Sequence, residues 1–417
     1  MLYGAVLSWY CPRSRHNFYN VAVKWWRLVS AAIAISAAIG GYQALGLEPV
    51  SARHVPITTK IVFNREIAQI FQKKCFQCHT DGNVSMALTT YKEARPWAVA
   101  IKEEILEREM PPWSAAGGYG HFANDMSLTA REISLILAWA DGGAPSGVLL
   151  VDEDKQPVYV PSLTSWEQGE PDAIVKIADN VKIAAGAPFR VERFEVSTGL
   201  KQGKWLRALQ LNPADRRPIR YAAIYEARSG RWLGTWTPST QVSAMPDGSA
   251  VQLPAGSRLA IEVGYRGNPE GDFSGAADLG LYFAEQRPSQ IASAIEIAAP
   301  AVSVAAGKKG ERVRTETTIK SATGAAALWP KLGPGVTSFE VTAIRSDGTV
   351  EPMLWLNNYR VEWPTAYVLK EPVSLPAGTR LVMTAFYDNA TDAALQAKPV
   401  LHVMAGQASR PPATLEP

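Results

Sequence analysis

The sequence VQLPAGSRL at residues 251–259 recurs as VSLPAGTRL at residues 373–381, an offset of 122 residues. The pair Ala185-Gly186 recurs as Ala306-Gly307 at almost the same offset, 121 residues. Nearly equal offsets at two places indicate an internal repeat in the second half of the chain. The alternative is a common Leu-Pro-x-Gly turn before a strand, which the chain uses twice.

Short segments around both copies alternate apolar and polar residues and are separated by Gly, Pro and Asn, as in residues 189–196. This pattern is typical of antiparallel strands. Together with the repeat it predicts two tandem antiparallel β-sandwich domains, at residues 170–290 and 291–408, followed by a tail at residues 409–417.

Upstream of this region, Cys75-Phe76-Gln77-Cys78-His79 contains two of the three cysteines in the chain. The C-x-x-C-H pattern is the attachment signal for a c-type haem, in which both thiols form thioethers and the histidine becomes an axial ligand of the iron. Half of a zinc site and a redox dithiol are the alternatives. A zinc site needs further Cys or His ligands at short spacing. The remaining candidates are scattered: Cys11, His16, His54, His121 and His402. We therefore expect one covalent haem c on Cys75, Cys78 and His79.

Short helices are predicted around this motif. Asn64 can cap a helix that ends at Cys75, and Pro96 can begin a second one. Thr129 and Glu132 form a capping box before a third, which Gly142-Gly143 ends. The pattern predicts an all-α cytochrome c domain at residues 58–146, joined to the β region by a linker at residues 147–169.

The second axial ligand is expected from the loop Met110-Pro111-Pro112-Trp113, because two prolines restrict the backbone around the thioether. Ligation by His and Met raises the reduction potential and suits electron transfer. Met86 is the main alternative, and Met126 and His121 stay open.

Residues 1–57 form a basic leader. Its apolar stretch at residues 28–47 is compatible with either a signal peptide or a membrane anchor. Both predict export, to the periplasm of a bacterium, with the anchor holding the protein at the inner membrane. The leader has four basic residues and no acid before position 29: Arg13, Arg15, Lys24 and Arg27. The formal net charge of the chain is +3, so the exported part is nearly neutral and offers no electrostatic footprint for nucleic acid.

The segments 63–67, 91–97, 110–113, 122–125 and 137–145, with the C-x-x-C-H motif, resemble bacterial cytochrome c domains fused to a copper type II, ascorbate-dependent monooxygenase-like module. The β region is similar to that peptidylglycine monooxygenase-like module at residues 166–172, 358–367 and 387–390. The resemblance implies haem c on Cys75, Cys78 and His79, with Met110 as the sixth ligand, and two jelly-roll-like sandwiches that each carry copper in the family.

The copper ligands of the family have no counterpart in this sequence. Its His-His pair falls on Ile219-Arg220-Tyr221-Ala222, and its Pro-His-Met-His motif falls on Pro330-Lys331-Leu332-Gly333. The region from residue 170 onward contains one histidine, His402, which we interpret as a satisfied or surface histidine. Copper sites of this type need several imidazoles, so no copper is expected.

The sequence thus predicts an exported, membrane-associated c-type cytochrome that transfers electrons through one haem, with a copper-free β module that docks onto a redox partner or membrane complex. A haem-bearing structural subunit and an oxidoreductase related to the copper monooxygenases are the alternatives. On this interpretation, a chain cut after about Pro145 would keep its haem spectrum and lose its partner.

Overall fold

The computed structural model describes residues 56–147, 166–178 and 181–406. The predicted leader and tail, and most of the predicted linker, lie outside these residues. No helix within the described ranges has the length and apolar character needed to cross a membrane.

The helices are short and all lie before residue 142. A π-helical turn, Phe63–Ile67, leads into α1, and a 3₁₀ turn, Arg95–Trp97, leads into α3. The α-helices are α1 (Ala68–Lys74), α2 (Tyr91–Ala94), α3 (Ala98–Leu106) and α4 (Ala130–Asp141). The predicted capping box of α4 is confirmed, because Thr129 accepts from the Glu132 amide while the Glu132 carboxylate accepts from the Thr129 amide. These helices enclose a core of Phe63, Ile67, Phe71, Ile136 and Trp139, among others.

Two sheets of the β region enclose a first core. Numbered in chain order, the strands of one sheet are β1 (Ala173–Ile177), β11 (Ala277–Phe283), β4 (Lys204–Pro213), β8 (Ser249–Leu253) and β12 (Gln290–Ile291), with β7 (Val242–Ala244) paired to β4. Those of the other are β3 (Arg190–Ser197), β9 (Arg258–Tyr265), β5 (Ile219–Glu226) and β6 (Trp232–Trp236). A small ribbon pairs β2 (Lys182–Ile183) with β10 (Phe273–Ser274). Residues of both sheets meet in one apolar cluster, which stabilises them as a pair.

Two further sheets enclose a second core. One contains β13 (Ser293–Ala298), β22 (Val400–Gly406), β16 (Thr323–Lys331) and β19 (Tyr367–Leu375). The other contains β15 (Glu311–Thr318), β20 (Arg380–Tyr387), β17 (Val336–Ile344) and β18 (Val350–Asn357). The strands β14 (Val302–Val304) and β21 (Leu395–Ala397) form a ribbon beside them.

The repeated sequence occupies equivalent places in these two pairs of sheets. Its first copy turns from β8 into β9, which lies between β3 and β5. Its second copy turns from β19 into β20, which lies between β15 and β17. Each turn needs its glycine, because Gly256 and Gly378 adopt φ values of 69° and 87°.

The predicted fold class, an all-α cytochrome c domain followed by two tandem antiparallel β-sandwich domains, is wrong, because the described residues contain no all-α domain. Strands make up 42% of the described residues and helices only 12%. The described residues from 56 onward belong to one compact unit, without division into a helical domain and a β region. The physical reason lies in the segment after α3, which contributes its side chains to a β core.

That segment pairs with two strands of the second core. Ala115 bridges to Leu356 of β18, and Phe122 bridges to Leu369 of β19. Phe122 is buried in the second core, and Trp113 packs edge-on against Tyr367 of β19 with ring centroids 5.0 Å apart. Asn124 donates to the Ala366 carbonyl (2.7 Å) and accepts from the Val368 amide (3.0 Å). Because these contacts are long-range, nothing in the local helix pattern could reveal them.

Candidate functional site

A cavity of about 450 Å³ lies where the helices meet the β region. This volume is in the range of small-molecule and cofactor pockets. The C-x-x-C-H motif, α3, the Met110–Trp113 loop and a group of β-region residues line it. Most of the wall is apolar, with Phe71, Leu88, Ile101, Ile105 and Leu128 among the lining residues.

The motif lies at the carboxyl end of α1. The amides of Cys75 and Phe76 donate to the Phe71 carbonyl, and the amides of Cys78 and His79 donate to the Cys75 carbonyl. This tight turn places Cys75, Cys78 and His79 together on the cavity wall. Burial raises the pKa of both thiols to about 12, so they are protonated at neutral pH.

His79 has the environment of a metal-ligating imidazole. It is 9% exposed, and its Nδ1 lies 3.0 Å from the Met86 carbonyl oxygen. Burial lowers its pKa, which favours the neutral ring. A neutral ring that donates from Nδ1 to a carbonyl keeps the lone pair on Nε2, the atom that would bind a metal.

Three methionines line the same cavity: Met86, Met110 and Met126. The Met86 carbonyl is the acceptor for His79, and its side chain is 37% exposed with Sδ accepting from Ser85. Because the Met86 carbonyl holds the His79 ring at Nδ1, Met86 is poorly placed to supply a second metal ligand across the cavity from His79. Within the described residues, Met110 and Met126 make no such hydrogen bond to His79, so the cavity favours them over Met86 as the second ligand.

The loop that carries Met110 is attached to the β region. Glu109 pairs with Arg360 and also accepts from the Asn358 side chain (3.2 Å). Ser114 donates to the Asn358 carbonyl (3.2 Å), and its own carbonyl accepts from the Asn357 amide (3.0 Å). Contacts on both sides of Met110 therefore fix the loop from residues more than two hundred positions away.

The predicted division into domains placed no residue of the β region at this cavity. Its contribution consists of Arg220, Ser239, Arg266, Arg360, Glu362, Trp363 and Thr365. Arg220 belongs to residues 219–222, onto which the His-His pair of the resembled family falls, and the loss of that pair was the one available signal. At the other replaced position, Lys331 pairs with Glu262 at 2.6 Å. Among the described residues, no three side chains of His, Cys, Asp or Glu form a group that could hold a metal ion.

His402 lies in an aromatic cluster between the two cores, which excludes a surface position, one of its two predicted interpretations. Its ring stacks on Trp329, with centroids 5.2 Å apart and planes at 18°, and Trp329 in turn stacks on Trp232. His402 is 4% exposed. Burial, with a smaller effect of Lys331, lowers its pKa from 6.5 to about 4. The imidazole is therefore neutral in the folded protein and packs as an aromatic ring.

The burial of His402 predicts that the folded protein becomes less stable in acid. Below pH 6.5 the unfolded chain protonates His402 while the folded protein does not until about pH 4, so stability falls as the pH drops through this window. The loss attributable to His402 is about 3 kcal/mol. His402→Phe keeps a ring in place without a titrating group. Urea unfolding at several pH values is expected to show a smaller acid-dependent loss in the variant than in the wild type. Equal losses in both would contradict the assignment.

Comparisons with known proteins provide no family for the chain. No family model matches it, and no curated protein matches it. Among solved structures, the major capsid protein P2 of bacteriophage PM2 is 13% identical and covers 57% of this chain and 98% of its own, with a TM-score of 0.27. PNGase F, a glycosylasparaginase from Flavobacterium meningosepticum, is 12% identical over 56% of this chain and 96% of its own, with a TM-score of 0.25. TM-scores this low support no inference about function.

Proposed function

We propose that this protein is an exported c-type cytochrome that transfers electrons through one covalently bound haem. The observation that carries the proposal is the cavity that brings together Cys75, Cys78, His79 and Met110. The donor set suits this group: two thiols on one turn, a neutral imidazole with a fixed ring, a thioether and an apolar wall.

Each of these residues has a distinct role in the proposal. Cys75 and Cys78 would hold the haem covalently, and His79 and Met110 would bind its iron. The haem supplies the one-electron chemistry when bound. The Met86 carbonyl keeps the His79 ring in one orientation, which limits reorganisation between the two oxidation states. Phe71, Ile101 and Leu128 exclude water from the cavity and so favour the less charged, reduced form.

The proposal also covers the family that the chain resembles and the cellular compartment in which it acts. The resemblance to cytochromes fused to a monooxygenase-like module that has here lost its copper ligands supports a redox role without copper. The basic leader supports export to the periplasm with attachment to the inner membrane. A redox protein or a membrane complex is the proposed partner.

The test is the metal and haem inventory of the protein, expressed together with a cytochrome c maturation system. We expect one iron and no stoichiometric copper per chain. The pyridine haemochrome spectrum should report two thioether bonds, because both thiols line the cavity. Cys75→Ala and Cys78→Ala should each shift this spectrum toward one thioether, and the double variant should lose covalent haem entirely.

Cys11→Ser is the matched control, since it removes the third thiol of the chain. It is expected to leave haem content unchanged. Bound zinc with no haem, or one or two bound coppers that survive dialysis, would overturn the proposal.

A further inference from the structure

The charged side chains that line the cavity are predominantly cationic. They are Lys74, Arg220, Arg266, Arg360, Glu104 and Glu362. Most of the cations have a partner already. Arg266 contacts both oxygens of Glu362, at 2.5 and 2.6 Å, and Arg360 pairs with Glu109. Lys74 donates to the Asp125 carbonyl at 2.9 Å.

Arg220 differs from the other cations. It is 8% exposed, and within the described part of the chain its one hydrogen bond goes to the Arg217 carbonyl, at 2.8 Å. Its guanidinium stacks over the Trp363 ring at 5.2 Å, which fixes its direction. Glu362 acts on it electrostatically, but that carboxylate is bound by Arg266. A buried guanidinium without its own carboxylate faces the cavity.

Arg216, four residues earlier in the chain, is a second buried arginine, although it does not line the cavity itself. It is 3% exposed, and it donates from Nη2 to the Gln241 side chain at 2.7 Å. Its Nε and Nη1 are buried and have no acceptor among the described residues, and Glu167 acts on the guanidinium only electrostatically. Burial lowers the pKa of both arginines to about 10, with Cys78 among the groups that act on each, so both stay charged at neutral pH. Two buried cations near one thiol of the motif are costly unless an anion compensates them.

We propose that Arg220, supported electrostatically by Arg216, binds a carboxylate of the haem. The inference rests on the proposed function and goes beyond it, because it makes the β region a wall of the haem site. A haem bound in this cavity would bring two carboxylates with it, and these are the anions that the guanidinium of Arg220 on the cavity wall would receive. Arg is suited to this role because its planar donors match a carboxylate in pairs.

The proposal has an electrostatic consequence for the iron. Ferric haem carries one more positive charge than ferrous haem, so a cation that neutralises a haem carboxylate favours reduction. Removing the charge of Arg220 should therefore lower the reduction potential without changing covalent attachment, which depends on Cys75 and Cys78. A lower potential at unchanged haem content would distinguish an arginine that acts on the haem electrostatically from one that only contributes packing.

The experiment compares full-length, haem-loaded Arg220→Gln and Arg220→Lys with the wild type. The matched control is Arg380→Gln, which removes an exposed arginine of β20 that pairs with Glu316 of β15. Haem content is measured by pyridine haemochrome, and the potential is measured by spectroelectrochemical titration. We expect a clearly lower potential in Arg220→Gln, most of the wild-type potential in Arg220→Lys, and no change in Arg380→Gln.

Resonance Raman bands of the haem carboxylates give a second measurement. They should shift in Arg220→Lys and stay unchanged in Arg380→Gln, so this readout decides the question even where Arg220→Gln does not fold. Equal potentials and bands in Arg220→Gln and Arg380→Gln would overturn the inference, as would equal losses of potential in the Gln and Lys variants. Absence of covalent haem from the wild type would instead refute the proposed function itself.

Discussion

Met110→Ala is expected to remove one of the two protein ligands of the proposed haem iron. The ferrous protein should then bind carbon monoxide, and the ferric protein cyanide, where the wild type binds neither readily. The potential should fall, because a thioether ligand stabilises the reduced iron. Both changes follow from the loss of one sulfur atom in a loop that contacts with Glu109 and Ser114 keep in place.

Two matched variants decide which methionine binds the iron. Met86→Ala leaves intact the backbone carbonyl that holds His79, so its spectrum should be nearly that of the wild type. Met126→Ala tests the other methionine of the cavity wall. Exogenous ligand binding in Met126→Ala with a native spectrum in Met110→Ala would move the assignment to Met126.

A chain that ends at Gly147 is expected to keep covalent haem but lose the native spectrum. The helices retain their own core around Phe71 and Trp139. The loop after α3, however, loses its pairing with β18 and β19, and Trp113 and Phe122 lose the apolar surface that covers them. We therefore expect an open axial position and ready binding of carbon monoxide. This is the opposite of the outcome that the sequence alone suggested.

Absorption spectra with and without carbon monoxide test this expectation at equal haem content. Asn124→Ala in the full chain is a milder variant of the same junction. It removes the bonds to Ala366 and Val368, which should cost about 1–3 kcal/mol in unfolding free energy while the β region stays present. A truncated protein with a native, ligand-resistant spectrum would show that the β region does not position Met110.

Some parts of the proposed haem site could be predicted from the sequence, and others could not. Cys75, Cys78 and His79 are close because five consecutive residues form one tight turn, so their proximity could be predicted from spacing. The capping box of α4 and the glycine turns before β9 and β20 could be predicted for the same reason. Each depends on contacts between residues a few positions apart, which leave a pattern in the sequence.

Arg220 and Arg360 could not be placed by any such pattern. They reach the cavity only after β5 and the segment that follows β18 pack against the helices. The expected all-α domain fails for the same reason, since the helical period says nothing about Trp113 and Phe122 joining a β core.

The sequence by itself determined the turn that holds the two thiols and the histidine, the helix caps and the repeated turns, because these depend on backbone geometry over a few residues. Tertiary structure alone decided which side chains close the cavity and where the buried charges of Arg216 and Arg220 lie. Those outcomes depend on the burial of apolar surface between distant segments, and the free energy of such packing is not encoded in any single stretch of the chain.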